Sequence, residues 1–166
     1  GMKERTIFLH GFSKALAMTG FRMGYACAPP AITEAMMKIH QYTMLCAPTT
    51  SQVAALEALT SPEADIAEMK AEYKRRRDFI HQTFQEMQIP CSKPLGAFYA
   101  FPEIRRFGLS SKEFATKLLE QEKVAAVPGG AFGSCGEGFL RCSYATSLDE
   151  IKIAFERIRH FISNLG

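Results

Sequence analysis

The sequence predicts an α+β fold in which helices cover one face of a small β-sheet. The second half of the chain shows, in order, the patterns of a strand, a helix, two strands and a helix. The first part predicts two strands and a helix that need a larger sheet to complete them. We therefore expect two parts, residues 1–60 and residues 61–166.

Composition excludes several classes of protein. Apolar residues make up 47% of the chain and charged residues 22%, an ordinary balance for a globular domain with a real core. The net charge of +3 is too small to indicate a nucleic-acid partner. The basic run 74–77 lies in a helical pattern beside Glu72 and Asp78, which favours a solvated helix face over an anion site.

The cysteines and the apolar runs indicate a cytoplasmic protein. Five cysteines occur without a C-x-x-C pair or zinc-ligand spacing, which favours reduced structural thiols and no metal. No apolar run approaches the roughly 20 residues that a membrane helix needs. The first residues also lack the pattern of a signal peptide.

The first part of the chain predicts a strand, a turn and a second strand, followed by helices. Residues 6–10 are rich in β-forming side chains and end at Gly11. Residues 21–28 form the second strand candidate, with Arg22 at its start and two prolines after it. Apolar spacing then indicates helical segments over 32–39 and 49–59.

A long amphipathic helix opens the second part. Ser61 and Pro62 suit the N-cap and first positions of a helix that runs to about Met87. Residues 97–101 predict a strand. Ser110 with Glu113 forms a capping box for a helix to about Gln121.

Two further strands and a last helix complete the second part. The strands are predicted over 124–127, where Pro128 ends the run, and over 139–144. Ser147 with Glu150 predicts the start of an amphipathic helix that runs toward Ile162.

Lys14 and Arg22 have chemistry that suits an aldehyde and a phosphate. Lys14 follows a small turn and precedes apolar residues without a carboxylate, surroundings that disfavour the ammonium form. A neutral amine is the form that attacks an aldehyde to give a Schiff base. The planar fork of Arg22 suits a phosphate. On these grounds alone, a lysine in a turn is more often a surface charge.

The whole run 10–25, His-Gly-Phe-Ser-Lys-Ala-Leu-Ala-Met-Thr-Gly-Phe-Arg-Met-Gly-Tyr, closely resembles a known segment. It is similar to the lysine segment of fold-type I, class I/II aminotransferases that use pyridoxal 5'-phosphate (PLP), in particular the aspartate and aromatic amino acid aminotransferases. Phe21 replaces the usual Trp. Gly11 occupies a position that is Ser in some branches, where that Ser helps to hold the phosphate.

The resemblance extends over essentially the whole chain. Residues 40–52 resemble the segment that enters the family's interdomain helix, and residues 94–101 resemble its G-A-F-Y strand. Residues 127–133 and 139–147 resemble its P-G-x-x-F-G and L-R-x-S-Y-A-T-S motifs. The resemblance implies that 61–166 form the C-terminal small domain, and that 1–60 are the last strands and helix of the large PLP-binding domain.

Three residue roles follow from the resemblance. Lys14 would form the Schiff base with PLP and move a proton between substrate and cofactor. Arg22 would hold the PLP phosphate. Arg141 would bind the substrate α-carboxylate, and a planar fork on a rigid strand suits that task.

The other residues of the motifs are given no catalytic role. Ser13 is left with two roles, a phosphate contact or a turn cap. Phe98 and Tyr99 are predicted to pack rather than to contact substrate. The histidines, His10 included, show no catalytic constellation.

The resemblance also implies partners and leaves two hypotheses open. In this family the Asp that protonates the pyridine nitrogen lies upstream of the lysine, so a missing N-terminal part of the large domain is one expected partner. A second copy in a homodimer is another, and the chain should expose apolar surface. The chain is either part of an aminotransferase, inactive alone, or a non-catalytic remnant or interaction module with the same C-terminal fold.

The expected substrates are an amino acid and a 2-oxo acid. Residues 40–52 lack the arginine that some aspartate enzymes place there for a side-chain carboxylate. This absence favours an aromatic or other non-acidic amino donor, with 2-oxoglutarate as the acceptor.

Overall fold

The computed structural model of this protein describes residues 1–60 and 63–165. They form two compact units, Gly1–Glu68 and Met69–Gly166. The division lies inside a long helix rather than at its beginning. The assignment of 1–60 and 61–166 to two domains of a larger protein stays a prediction.

Unit 1 begins with the predicted strand–turn–strand. Strands β1 (Phe8–Gly11) and β2 (Gly24–Cys27) pair antiparallel, with Leu9 opposite Ala26. The second strand starts later than the sequence indicates, because Arg22 has the left-handed angles φ 53 and ψ 47. The prediction that Arg22 begins a strand is therefore wrong, since a left-handed residue does not continue a pleated strand. Arg22 belongs to the turn.

Two helices follow in unit 1, α1 (Pro30–Thr43) and α2 (Thr49–Thr60). Both were predicted, and α1 extends past the predicted 32–39 at each end. Pro30 stands at the first helical positions, where its missing N–H leaves no hydrogen bond unmade.

Helix α3 (Glu63–Glu86) is the long helix that the sequence predicts. Its predicted capping pair, Ser61 and Pro62, lies outside the described residues. The basic run forms ion pairs with Glu72 and Asp78, and Glu72 accepts hydrogen bonds from Arg75 and Arg76. These bonds lower the pKa of Glu72 to about 2. Each cation of the run thus has a carboxylate partner on the same helix. Lys74 and Arg75 are exposed, as expected for a solvated face, whereas Arg76 and Arg77 are half-buried.

Unit 2 contains a small antiparallel sheet. Its strands are β3 (Tyr99–Ala100), β4 (Val127–Pro128) and β5 (Leu140–Ser143), in the order β3-β5-β4. The strand predicted over 97–101 is shorter, because Ala97 has the left-handed φ of 53. The strand predicted over 124–127 is wrong for its first three residues, since pairing begins at Val127. Pro128 is tolerated because β4 lies at the sheet edge.

Helices α4 (Ser111–Glu122) and α5 (Leu148–Ser163) begin as the sequence predicts. Ser110 and Glu113 form both bonds of a capping box, and the Ser147 side chain accepts from the Glu150 amide. Both helices contribute to a buried cluster with the sheet. Its most buried members are Ile104, Phe114, Leu118, Leu140 and Phe161. The predicted order of elements and the α+β class are confirmed.

The described residues contain neither a metal-ligand cluster nor a membrane-spanning helix. Within 1–60 and 63–165, no group of three His, Cys, Asp or Glu side chains could hold a metal ion. No helix in that part of the chain is both long and apolar enough to span a bilayer.

Candidate active site

The turn between β1 and β2 carries Lys14. Phe12 and Met18 on this turn are 3% and 5% exposed and form a small core with Ala55 of α2. Lys14 itself is exposed. The expected apolar surroundings of Lys14 are therefore wrong for this chain, because Phe12 and Met18 occupy the inner side of the turn.

Hydrogen bonds hold this turn against α2. The Phe12 amide donates to the Met23 carbonyl at 3.1 Å, and the Met18 amide donates to the Phe12 carbonyl at 3.4 Å. The Ser51 hydroxyl of α2 donates to the Phe21 carbonyl at 2.7 Å, and Ser51 is 4% exposed. Sequence reasoning missed Ser51. The available signal was its spacing of one helical turn from the buried Ala55.

Arg22 lies in a strained part of the turn. Its guanidinium Nη1 donates to the Thr19 carbonyl at 2.9 Å. Both Arg22 and Ala17 have positive φ, 53 and 54, which costs about 1–3 kcal/mol per residue and is found most often at functional sites. The sequence between Glu4 and Glu34 contains no carboxylate. The turn therefore presents two cationic side chains in a segment without an acid.

Arg141 lies on the central strand of unit 2, on the sheet face away from the core. Side chains alternate along β5: Leu140 and Cys142 pack into the clusters beneath the helices, so Arg141 points to the opposite face. Arg141 pairs with Val127 of β4, and its side chain is half-buried. The prediction of a strand position is confirmed.

Two aromatic rings enclose the guanidinium of Arg141. Its Cζ atom lies 4.5 Å from the ring centre of Tyr99 and 4.6 Å from that of Phe132. Tyr99 was predicted only to pack, and it packs on this arginine. Phe132 was missed, although it is the aromatic residue of the 127–133 motif. Phe98 stacks on Tyr73 with ring centres 5.6 Å apart, in agreement with its predicted packing role.

Arg141 differs from the other arginines that contact an aromatic ring. Arg76 pairs with Glu72, Arg105 pairs with Glu103, and Arg106 donates to the Met87 and Gln88 carbonyls. Within 1–60 and 63–165, the side chain of Arg141 forms no hydrogen bond or ion pair. Every fully buried side-chain nitrogen in that part of the chain has a partner, so the nitrogens of Arg141 reach solvent. A planar guanidinium with open donors suits a carboxylate.

The remaining residues of the lysine segment have structural surroundings. His10 packs edge-on against Tyr25, with ring centres 5.6 Å apart. Ser13 is half-buried in the turn, and its two possible roles stay open. A Cβ at Gly11 would meet no atom within 4 Å, so the Ser of other branches would fit there. Lys14 and Arg22 lie in unit 1 and Arg141 lies in unit 2.

The chain belongs to the class I and II aminotransferases. Residues 1–158 match this family, and the recognition made from the motifs is confirmed. The chain spans about 42% of the length of the curated relatives it matches. The family is PLP-dependent.

Related proteins and solved structures are aminotransferases, but their names refer to different substrates. The protein YugH of Bacillus subtilis strain 168 is 52% identical over 98% of this chain and 42% of its own length. The aspartate aminotransferase of Pyrococcus abyssi is 47% identical over 95% of this chain and 41% of its own. The crystal structure of the aromatic aminotransferase from Pyrococcus horikoshii OT3 covers 99% of this chain and 44% of its own, with 45% identity and a TM-score of 0.93.

The residues present fit two of the chemical groups of PLP. The primary amine of Lys14 matches the aldehyde, and the guanidinium of Arg22 matches the phosphate. The pyridine nitrogen needs an acidic partner, which the segment between Glu4 and Glu34 does not contain. That partner has to come from another segment.

Proposed function

We propose that this chain supplies part of the active site of a PLP-dependent aminotransferase, which transfers an amino group from an amino acid to a 2-oxo acid. The observation that carries the proposal is Arg141, held between the rings of Tyr99 and Phe132 with its donors open. An α-carboxylate is common to both substrates of a transaminase. One arginine can therefore serve both halves of the reaction.

Each of the three residues has one task in this proposal. Bound PLP would supply the electron sink that makes the substrate Cα–H acidic. The Nζ atom of Lys14 would take that proton from Cα of the substrate and deliver it to C4′ of the cofactor, and would move a proton in the reverse direction in the second half of the reaction. Arg22 would hold the phosphate with a charge-assisted bond, and Arg141 would hold the α-carboxylate and so orient the substrate.

For the substrates, we propose an aromatic or other non-acidic amino donor and 2-oxoglutarate as the acceptor. The support is the absence of arginine from 40–52 and the aromatic surroundings of Arg141. We also propose a cytoplasmic homodimer, on the family resemblance and the exposed apolar surface of unit 1.

Three substitutions in the PLP-loaded protein that carries this chain separate the roles. Lys14→Ala should abolish turnover and leave the protein folded, because no other base is assigned to Cα. Arg22→Ala should mainly weaken PLP retention, by about 1.5–3 kcal/mol for one bond to a charged group. Arg141→Ala should raise KM for both amino donor and keto acceptor and lower kcat/KM. Steady-state kinetics and PLP dialysis measure these effects.

Arg105→Ala is the matched control, because Arg105 also contacts a ring, that of Phe139, but already has its acceptors. Its KM values should stay unchanged. Equal KM values for Arg141→Ala and the unsubstituted protein would remove the carboxylate assignment. If Lys14→Ala changed no measured property, the alternative of a non-catalytic interaction module would replace the enzyme proposal.

A further inference from the structure

We propose that Tyr99 and Phe132 are positioning residues, which hold the guanidinium of Arg141 flat between their rings and leave its edge open to a carboxylate. The inference rests on the proposed carboxylate role of Arg141. It assigns to these two rings a function that the motif resemblance does not imply, since Tyr99 was expected only to pack.

The sheet register brings Tyr99 to Arg141. Tyr99 of β3 lies opposite Ser143 of β5, and Arg141 lies two residues before Ser143. Residues diagonal to each other on neighbouring strands are within reach of aromatic and long side chains on the same face. The neighbour of Tyr99, Ala100, is 1% exposed and belongs to the core on the other face. Because side chains alternate along a strand, Tyr99 lies on the same face of the sheet as Arg141.

Phe132 lies in the loop that follows β4, the strand that flanks β5 on the edge opposite β3. Hydrogen bonds anchor this loop. The Gly129 amide donates to the Phe139 carbonyl at 2.8 Å, and the Gly130 amide donates to the Ser111 hydroxyl at 3.3 Å. A Cβ on Gly129 would collide with the Gly136 carbonyl oxygen, so the loop closes only with glycine there. These contacts fix the start of the loop that carries Phe132.

Glu137 ties the same loop to the beginning of α4. Its carboxylate accepts from the amide and the hydroxyl of Ser111, both at 2.7 Å. These bonds lower the pKa of Glu137, so the contact persists as a charge-assisted one. The position of Phe132 therefore depends on α4 and not only on its own loop.

Aromatic rings can orient an arginine without using its donors. A carboxylate partner would fix Arg141 equally well, but it would fill the N–H positions that the substrate needs. Ring faces attract the cation through their quadrupole, and in the proposed arrangement the two rings cover the two faces of the guanidinium plane. Every N–H of the guanidinium lies in that plane, so the edge stays available. The geometry thus explains how a half-buried cation is held in one orientation with its donors unoccupied.

The test compares variants that delete a ring with variants that keep it. Tyr99→Leu and Phe132→Leu delete the rings, and Tyr99→Phe and Phe132→Tyr keep them. Phe101→Leu is the matched control: the Phe101 ring lies 5.9 Å from that of Phe132, and among the described residues it forms no cation–π contact with Arg141. Backbone amide spectra establish that each variant keeps the fold of unit 2.

Two NMR readouts on the ¹⁵N-arginine-labelled 166-residue chain follow Arg141 itself. The first is the Nε–H signal of Arg141, whose ring-current shift should be lost in the ring-deleting variants and retained in the ring-keeping ones. The second is the affinity for propionate, which has a carboxylate but neither an amino group nor a ring. Each ring deletion should weaken propionate binding about threefold to tenfold.

The outcomes separate this inference from the proposed function. Propionate affinity that is unchanged in Arg141→Gln would remove the carboxylate role, and this inference with it. If Arg141→Gln abolishes binding while Tyr99→Leu and Phe132→Leu behave like Phe101→Leu, the carboxylate role stands and the positioning role is overturned. Loss in both ring deletions, with recovery in Tyr99→Phe and Phe132→Tyr, supports it.

Discussion

Arg141 and Cys142 are neighbours on β5 with opposite surroundings. Arg141 reaches solvent between two rings, whereas Cys142 packs against both core clusters of unit 2. Burial raises the pKa of the Cys142 thiol to about 12, with a smaller contribution from Cys91. A thiol with so high a pKa has almost no thiolate at neutral pH, so Cys142 serves the core rather than the chemistry.

We expect Cys142 to resist alkylation in the folded chain. At pH 8, iodoacetamide should modify the exposed Cys135 and leave Cys142 unmodified until denaturant is added, as measured by mass spectrometry. Equal rates at the two cysteines would contradict the buried assignment.

The raised pKa of Cys142 also has a consequence for stability. The folded state holds the thiol proton more tightly than the unfolded state, so the contribution of Cys142 is complete below the ordinary pKa of 9.0 and is lost as pH rises toward about 12. Between pH 9.0 and about 12, the free energy of unfolding should therefore fall less for Cys142→Ala than for the unsubstituted chain.

At the scale of the element, the beginning of α4 is held from two directions. Within the helix, the Glu113 amide donates to the Ser110 hydroxyl at 3.2 Å, and the Glu113 carboxylate accepts from the Ser110 amide at 3.0 Å. From outside, Glu137 accepts from Ser111. The local capping box was visible in the sequence, and the bond from Glu137 was not.

Ser110→Ala should destabilise unit 2 by about 1 kcal/mol, the usual cost of losing an N-cap. Urea unfolding followed by the near-ultraviolet signal of the buried Tyr144 measures this difference. Ser163→Ala, at the C-terminal end of α5, is the control. The hydroxyl of this exposed serine bonds only to the His160 carbonyl of its own helix, so this substitution should change the free energy of unfolding little.

The effect of Ser110→Ala should depend on pH. Hydrogen bonds from Ser110 lower the pKa of Glu113 below its usual 4.5. A carboxyl group with a depressed folded pKa contributes stability above its unfolded pKa and loses it as pH falls through the folded value. The difference between Ser110→Ala and the unsubstituted chain should therefore shrink in acid. A constant difference from pH 7 to pH 3 would contradict the coupling.

At the scale of the whole molecule, exposed apolar side chains concentrate in unit 1. Among the described residues, Leu9, Tyr42 and Leu45 are 71%, 92% and 73% exposed. The core of unit 1 is small, with Phe12, Met18 and Ala55 as its buried residues. The expectation that the chain exposes apolar surface is confirmed, and the distribution predicts that the units differ in stability.

In limited proteolysis, we expect the first cleavages to fall within the first 60 residues. The α+β unit that runs from about residue 62 to Leu165 should be cleaved later. The physical reason is that local opening is easiest where few apolar side chains are buried. Mass spectrometry of the early fragments identifies the cleavage sites. Early cleavage inside α5, with residues 1–60 protected, would be the contrary result.

The elements of this protein were largely predictable because their signals are local. The capping pairs at Ser110 and Ser147 and the apolar spacing of α3 and α5 depend on residues one or two helical turns apart. The motif 10–25 likewise identified Lys14 and Arg22 as candidates without any structure. Errors occurred where one backbone angle decides, as at Ala97 and Arg22, because left-handed angles are uncommon for residues other than glycine and no local pattern in the sequence marks them there.

The sequence by itself determined the family, the order of elements and the choice of Arg141 as a candidate site residue, because each depends on a contiguous pattern of residues. Only the tertiary structure decided what surrounds these residues. Tyr99 and Phe132 meet at Arg141 through sheet register and a glycine-closed loop, and Ser51 reaches Phe21 across 30 residues of chain. Such contacts join segments that are distant in sequence, so their physical cause is packing, which no local pattern contains.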